Sequence, residues 1–137
     1  MATHREHAPG PYALIVEDDP GVRGLAAALL EESDLRVVEC EDAEQALAEL
    51  AQHGDDIALI FADIRLPGQL DGVDLAQRVN SLWPQIEMVV TSGPAGSRRA
   101  ALPDSVVYMP KPWFALDVLI QAEHAAAKMR ERHKAAS

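Results

Sequence analysis

The stretch LIFADIR at residues 59–65 is a hydrophobic segment that ends abruptly in a carboxylate, Asp63. The stretch IVEDD at residues 15–19 has the same character and ends in acids that include Glu17 and Asp18. Carboxylates beside a hydrophobic core are costly to desolvate, and clustered carboxylates repel each other. Two buried strands that both end in acid therefore indicate a site whose function needs the clustered charge.

The composition limits the kind of protein. The chain has 137 residues, 48% of them hydrophobic, which suits one globular domain. The formal net charge of −10 argues against binding to nucleic acid or to an anionic membrane. The single cysteine, Cys40, excludes an intrachain disulfide and favours a reduced, cytoplasmic location. We also expect no transmembrane helix, because no run approaches the roughly 18 apolar residues that one requires.

Strand-like and helix-like segments alternate along the chain. Hydrophobic periodicity predicts strands at residues 12–17, 35–39, 57–62, 86–91 and 105–109. It predicts helices at residues 20–32, 42–52, 72–83 and about 113–133. This alternation predicts an α/β fold with a parallel sheet covered by helices on both faces. The connection GPAGSRRAALPD before the last strand holds two Gly and two Pro, so a fourth helix there would be short or irregular.

The domain boundaries follow from the same pattern. Residues 1–11 contain no apolar pattern and predict a flexible lead. Residues 12–130 are expected to form the folded domain, and the polar residues 131–137 a frayed tail.

The chemistry is expected at the carboxyl ends of the strands, where ligands of open α/β sheets bind. Those ends bring together carboxylates, a hydroxyl and an ammonium group. These carboxylate, hydroxyl and ammonium groups belong to Glu17, Asp18, Asp63, Thr91 or Ser92, and Lys111. Clustered acids bind hard cations, and Mg²⁺ takes one or two carboxylates together with phosphate and water oxygens. An aspartate can then act as a nucleophile, while a lysine and a hydroxyl contact the phosphoryl oxygens. The set predicts phosphoryl transfer to a carboxylate.

The motifs that carry this site occur in a fixed order, each at the end of its own strand. They are VEDD at 16–19, DIRLP at 63–67 with DG at 71–72, TSG at 91–93, and KP at 111–112. Together they resemble the receiver domains of two-component response regulators over roughly residues 12–130. The resemblance implies the flavodoxin-like receiver fold, a doubly wound five-stranded parallel sheet in the order 2-1-3-4-5.

The resemblance also implies roles for the residues that contact the phosphoryl group. Asp63 resembles the phosphoaccepting aspartate, and Lys111 matches the lysine of the family motif. Ser92 matches the switch hydroxyl because the small residue Gly93 follows it, and Thr91 is the alternative. Tyr108, three residues before Lys111, matches the aromatic residue that changes rotamer on activation.

The expected metal ligands follow from the same resemblance. Asp18 and Asp63 would bind Mg²⁺ directly, and Glu17 would act through water. The backbone carbonyl of Arg65 would be a further ligand. The bond from Lys111 to Pro112 would be a cis peptide.

The chain departs from the family in two ways near the acceptor. The stretch from Asp63 to Asp71 is one residue longer than the commonest spacing, and Arg65 places a cation beside the acceptor. We expect Asp19 to act only as a helix N-cap, and Asp71 to be a turn residue or helix cap.

The predicted function is that of a stand-alone, single-domain response regulator with no output domain after residue 137. A sensor histidine kinase or a histidine phosphotransferase would phosphorylate Asp63, and the signal would pass to an unknown downstream protein by contact or phosphorelay. Such a protein is a phosphoacceptor that assists its own phosphorylation and dephosphorylation, not an enzyme.

Two alternative functions remain open. The chain could be a receiver-like binding module that is never phosphorylated. It could also be an Asp-nucleophile phosphohydrolase, although such enzymes generally carry a second acid where this chain has Arg65. The residues also have structural interpretations, with Asp63 as a turn acid, Ser92 as the start of a turn and Lys111 as a surface lysine.

Overall fold

The structure, a computed structural model, describes residues 11–93 and 98–136. Most of the predicted flexible lead, residues 1–10, lies outside the described residues. The described strands are β1 (Tyr12–Val16), β2 (Arg36–Cys40), β3 (Ile57–Asp63), β4 (Glu87–Ser92) and β5 (Val107–Pro110). The described α-helices are α1 (Pro20–Leu30), α2 (Ala43–His53), α3 (Gly72–Leu82) and α4 (Ala115–Ala136). Short 3₁₀ turns occur at Gly54–Asp56 and Arg99–Ala101.

The five strands form one parallel sheet in the order β2-β1-β3-β4-β5. The predicted fold class and strand order are therefore confirmed. β3 lies at the centre of the sheet and is buried at all seven of its positions. Asp63 is the last residue of this strand and is only 8% exposed. The central strand thus carries a carboxylate directly to the edge of the core.

Hydrophobic cores cover both faces of the sheet. On one face, α1 and α4 pack on β-strand residues such as Ile15, Phe61 and Val89. On the other face, α2 and α3 pack on residues such as Leu14 and Ile60. Successive residues of a strand point to opposite faces, so a strand buried on both sides is apolar throughout. This explains the uninterrupted hydrophobic runs in the sequence.

The predicted element boundaries agree with the structure to within two residues, except at the end of the last helix. The short fourth helix is also confirmed, because the described part of the connection from β4 to β5 contains only the three-residue turn Arg99–Ala101. Helix α4 continues through Ala136. The last described residues of the predicted frayed tail are therefore helical, and fraying there stays a prediction.

Two predicted helix caps and the packing role of Cys40 are visible in the structure. The Asp19 side chain accepts hydrogen bonds from the first turn of α1, and Asp71 caps α3 in a capping box with Asp74. Cys40 is buried, and burial is the main cause that raises the pKa of its thiol to about 12. The thiolate is therefore scarce at neutral pH. Among the described helices, none has both the length and the apolar character needed to cross a membrane.

Candidate functional site

An open cleft of about 860 Å³ lies at the carboxyl ends of β1, β3, β4 and β5. Its volume exceeds that of a phosphoryl group with several waters, each of which occupies about 30 Å³. Most of the residues that the sequence assigns to the site line this acidic cleft. They are Glu17, Asp18, Asp63, Arg65, Ser92 and Lys111. Thr91 instead lines a small internal space beneath the cleft, together with Phe61 and Trp113.

The Lys111 ammonium joins the two buried carboxylates of the cleft. Its Nζ atom donates to Oδ2 of Asp63 at 2.6 Å and to Oε1 of Glu17 at 3.1 Å. The main-chain N–H of Lys111 also donates to the carbonyl of Ser92, at 2.9 Å. The Lys111–Pro112 peptide bond is cis, as the resemblance implies. The end of β5 therefore supplies a cation at the point where β1 and β3 supply anions.

The backbone around Asp63 orients its carboxylate. The N–H of Arg65 donates to Oδ1 of Asp63 at 3.1 Å, and the N–H of Ile64 donates to the carbonyl of Thr91 at 2.9 Å. The N–H of Gly72 then donates to the carbonyl of Ile64 at 2.8 Å. A Cβ atom on Gly72 would overlap the Asp63 carbonyl oxygen and lie 2.7 Å from the Ile64 Cα. Only glycine lets α3 approach the end of β3 this closely.

Glu17 is almost fully buried, whereas its neighbour Asp18 is exposed to the cleft. The N–H of Asp19 donates to Oε2 of Glu17 at 3.1 Å, so both carboxylate oxygens of Glu17 have a donor. Burial raises the pKa of Glu17, the Asp19 and Lys111 hydrogen bonds oppose that rise, and the Asp63 charge adds to it. Burial therefore makes the charged form of Glu17 costlier than it would be in water.

The Lys111 pKa reflects the same group of charges. Burial alone would lower the pKa of this ammonium, but the hydrogen bonds and charges of Asp63 and Glu17 outweigh burial and raise it. Lys111 therefore remains a cation across the physiological pH range. A permanent cation is what a site for an anionic phosphoryl group requires.

The two candidate hydroxyl residues, Ser92 and Thr91, have different surroundings. The Oγ of Ser92 lies 2.6 Å from the phenol oxygen of Tyr108 and 3.3 Å from the carbonyl of Gly93. The Arg99 guanidinium stacks on the Tyr108 ring, 4.0 Å from its centroid. The structure thus places Ser92, rather than Thr91, in the acidic cleft and in contact with Tyr108.

The comparison with known protein families decides which family this architecture represents. The family model of the response regulator receiver domain matches residues 13–122. The chain belongs to this family. Receiver domains are the phosphorylated modules of two-component signalling systems.

Curated relatives of this receiver domain are longer regulators. The nitrogen assimilation regulatory protein NtrX of Azorhizobium caulinodans is 32% identical over 125 residues, which cover 88% of this chain and 27% of that protein. The transcriptional regulatory protein TcrA of Mycobacterium tuberculosis is 31% identical over 122 residues, which cover 87% of this chain and 47% of that protein. The chain therefore spans between about a quarter and a half of the length of these relatives.

Solved receiver structures share the fold. The receiver domain of NtrX from Brucella abortus has a TM-score of 0.71 at 27% identity, and the match covers 82% of this chain and 96% of that one. A receiver domain from Clostridium thermocellum has a TM-score of 0.77 at 19% identity, with 87% of this chain and 96% of that one covered. At that identity the second match supports the fold alone.

The donor set of this receiver domain fits Mg²⁺. Mg²⁺ needs only one or two carboxylates and completes its octahedral shell with carbonyl, water and phosphate oxygens. Asp18, Asp63 and Arg65 all line the acidic cleft. The two carboxylates would be ligands, and Arg65 would contribute its backbone carbonyl. No group of three or more acidic, His or Cys side chains among the described residues could hold an ion by itself. Both Glu17 and Asp63 accept hydrogen bonds at each carboxylate oxygen, so the indirect role of Glu17 stays a prediction.

Some residues that shape the receiver site were not recognised from sequence. The DG motif at 71–72 belonged to the resemblance, but Asp71 was expected to be a turn residue or helix cap and no contact was predicted for Gly72. In the structure Asp71 lines the cleft and Gly72 packs against the backbone of Asp63 and Ile64. Arg98 pairs with Asp71 at 2.8 Å and with Asp74 at 3.3 Å, which ties the connection after β4 to α3. The dipeptide Asp71-Gly72, which follows the strand that ends at Asp63, was the sequence signal for the close approach of Gly72. No comparable signal pointed to the pairing of Arg98 with Asp71 and Asp74.

Proposed function

We propose that Asp63 accepts a phosphoryl group from a phosphohistidine of a sensor histidine kinase or a histidine phosphotransferase. The observation that carries this proposal is the 2.6 Å contact between Lys111 Nζ and Asp63 Oδ2, in a cleft that Asp18 and Ser92 also line. If Asp63 were only a turn residue and Lys111 only a surface lysine, this direct contact between them would not be expected. The contact pairs a nucleophile with the cation that can neutralise the incoming phosphoryl charge.

The proposed transfer is a simple exchange of bonds at phosphorus. A carboxylate oxygen of Asp63 attacks the phosphorus atom and forms a new P–O bond, while the P–N bond to the donor histidine breaks. The electron pair of that bond returns to the imidazole nitrogen, which takes a proton from solvent. Asp63 then carries an acyl phosphate. Its Oδ1 atom remains oriented by the N–H of Arg65, so the carboxylate needs little reorganisation to react.

The neighbouring residues stabilise the charge that arrives with the phosphoryl group. Lys111 exchanges part of its contact with Asp63 for a phosphoryl oxygen, and the Ser92 hydroxyl donates a hydrogen bond to another phosphoryl oxygen. Asp18, Asp63 and the Arg65 carbonyl would hold Mg²⁺, which supplies charge neutralisation and orients the phosphoryl oxygens. Catalysis in such a site consists mainly of positioning and electrostatics. The same groups would assist hydrolysis of the acyl phosphate.

The output of the proposed phosphorylation is a protein contact or a further phosphoryl transfer. Ser92 would move toward the phosphoryl group, and its hydrogen bond to Tyr108 would change as it does so. A change of the Tyr108 rotamer on activation stays a prediction. The cytoplasmic location inferred from the single cysteine also stays a prediction.

The phosphohydrolase alternative lacks its leaving-group acid. Arg65 occupies the position two residues after Asp63, and its side chain is exposed. An arginine cannot protonate a leaving group, because its guanidinium does not titrate near neutral pH. Phosphoryl acceptance is therefore the better supported function.

Labelling with a small phosphodonor tests the proposal and separates it from a binding module that is not phosphorylated. With Mg²⁺ and acetyl phosphate, intact-mass measurement should show one added phosphoryl group on the wild-type chain. Asp63→Asn preserves the shape but removes the nucleophile, so it should gain none. Labelling should also fail for the wild type in EDTA. Equal labelling of both proteins would place the acceptor elsewhere, and no labelling of either would favour the binding module.

A further inference from the structure

Arg23, on the first turn of α1, makes two contacts behind the acidic cleft. Its Nη1 atom donates to the main-chain carbonyl of Glu17 at 2.8 Å, and its Nε atom donates to Oε1 of Glu39 at 3.2 Å. The Arg23 side chain is only 16% exposed, whereas that of Glu39 is 46% exposed. The guanidinium thus connects the end of β1 to the end of β2 while it remains largely shielded from solvent.

The carbonyl that Arg23 contacts belongs to the peptide unit that joins Glu17 to Asp18. Other groups already fix the rest of Glu17. Its N–H donates to the carbonyl of Cys40 at 3.0 Å, and its two carboxylate oxygens accept from Lys111 and from the N–H of Asp19. Arg23 binds the remaining polar group of Glu17, its main-chain carbonyl. The orientation of this peptide unit sets the orientation of Asp18. Asp18 itself is exposed, so its side chain has little packing to fix it.

We propose that Arg23 is a positioning residue for the metal site: its guanidinium holds the Glu17–Asp18 peptide so that the Asp18 carboxylate faces the cleft. This inference rests on the proposed function, because it concerns the Mg²⁺ that the phosphoryl transfer requires. Groups that orient metal ligands typically change metal affinity by about 10- to 100-fold when they are removed.

The sign of the change separates positioning from simple electrostatics. Arg23 is a cation next to an acidic site, so its charge alone disfavours a second cation there. If charge were its only influence, removal of Arg23 would tighten Mg²⁺ binding. If Arg23 positions Asp18, removal would weaken binding in spite of the more negative site. Replacement by lysine keeps the charge but cannot bridge the Glu17 carbonyl and Glu39 as the guanidinium fork does.

The test is calorimetric titration of Mg²⁺ into the wild type, Arg23→Gln and Arg23→Lys. We expect Arg23→Gln to weaken Mg²⁺ binding by about 10-fold, the lower end of the range for such groups. Arg23→Lys should weaken binding by a smaller factor. Arg130→Gln is the matched control, because Arg130 also forms an ion pair with a single carboxylate, that of Asp34. Asp34 precedes β2, so this pair lies away from the carboxyl ends of the strands. This control should bind Mg²⁺ as the wild type does.

A second readout distinguishes positioning from a general loss of structure. The rate of Asp63 labelling by acetyl phosphate is measured as a function of Mg²⁺ concentration. The Mg²⁺ concentration at half-maximal rate should rise in the Arg23 variants, while the rate at saturating Mg²⁺ should approach that of the wild type. If Arg23→Gln fails to fold, the titration of Arg23→Lys decides the matter.

The outcomes are separable from those of the proposed function. If the wild type binds Mg²⁺ and both folded Arg23 variants bind it equally well or more tightly, positioning by Arg23 is overturned and phosphoryl acceptance stands. If the wild type itself neither binds Mg²⁺ nor becomes labelled, the proposed function is wrong, and the role of Arg23 is wrong with it.

Discussion

Lys111 Nζ lies 2.6 Å from Oδ2 of Asp63, although the two residues are 48 positions apart in the sequence. The same ammonium lies 3.1 Å from Glu17, so one cation is shared by two buried carboxylates. The sequence suggested that clustered acids would need a divalent cation to be tolerated. The structure shows that Lys111 contacts both carboxylates and so offsets part of their repulsion, while burial still raises the pKa of Glu17.

Replacement of Lys111 by methionine should destabilise the protein. Methionine keeps much of the volume but leaves the Glu17 and Asp63 carboxylates, 6% and 9% exposed, without their cation. Loss of one partner from a buried ion pair costs about 3 kcal/mol. Urea unfolding in EDTA should show a loss of this size, and excess Mg²⁺ should reduce it. Identical unfolding of the variant and the wild type in EDTA would mean that the contact is not formed in solution.

Glu17 should make the stability of the protein depend on pH in a defined direction. Burial raises the pKa of Glu17 above its usual 4.5, so the folded protein binds this proton more tightly than the unfolded chain. The Glu17 contribution to the free energy of unfolding therefore falls as the pH rises from 4.5 through the raised pKa. Glu17→Gln has no ionisable carboxyl at this position, so its free energy of unfolding lacks this contribution to the pH dependence.

The difference in free energy of unfolding between the wild type and Glu17→Gln is the quantity to measure, by urea unfolding in EDTA from pH 4 to pH 8. The wild type should lose stability relative to the variant as the pH rises. A constant difference across this range would show that the pKa of Glu17 is not raised.

Gly72→Ala should destabilise the protein by about 1–3 kcal/mol, the usual cost of overpacking a dense site. The added Cβ would collide with backbone at Asp63 and Ile64, which cannot move aside as a flexible side chain can. Gly24→Ala is the matched control, because Gly24 lies inside α1 with nothing within 4 Å of the added Cβ. That change should stabilise the protein by up to about 1 kcal/mol. Equal effects of the two changes would contradict the close approach at Gly72.

Ser92, and not Thr91, should couple the phosphoryl group to the connection after β4. Ser92 lines the cleft and contacts Tyr108, which in turn supports Arg99. We expect Mg²⁺ and beryllium fluoride, a phosphoryl mimic, to change amide hydrogen exchange across residues 98–104. Ser92→Ala should abolish this change, while the isosteric Thr91→Val should retain it. The opposite pattern would assign the switch to Thr91.

The parallel sheet and most of the site could be predicted from the sequence for a physical reason, whereas the strand order came from the resemblance to receiver domains. Strands buried on both faces are read directly as apolar runs, and their carboxyl ends must meet at one edge of a parallel sheet. Asp63, Ser92 and Lys111 could therefore be placed together before any distance was known.

The contacts that sequence did not predict depend on side-chain geometry. Arg23 looks like an ordinary polar residue of an amphipathic helix, and only its reach to the Glu17 carbonyl reveals its position behind the cleft. Arg98 meets Asp71 and Asp74 across 27 and 24 residues of sequence. Hydrophobic periodicity carries no information about such long-range polar pairs, since it records only which face of an element is buried.

Chemical trapping of the acyl phosphate shows whether Asp63 itself carries the phosphoryl group. Borohydride reduces an acyl phosphate of aspartate to homoserine, which marks the acceptor permanently. The protein is incubated with Mg²⁺ and acetyl phosphate, reduced, digested and sequenced by tandem mass spectrometry. We expect homoserine at position 63 alone, and none in a sample treated with EDTA. Homoserine at Asp18 or at another acid, with Asp63 unmodified, would contradict it.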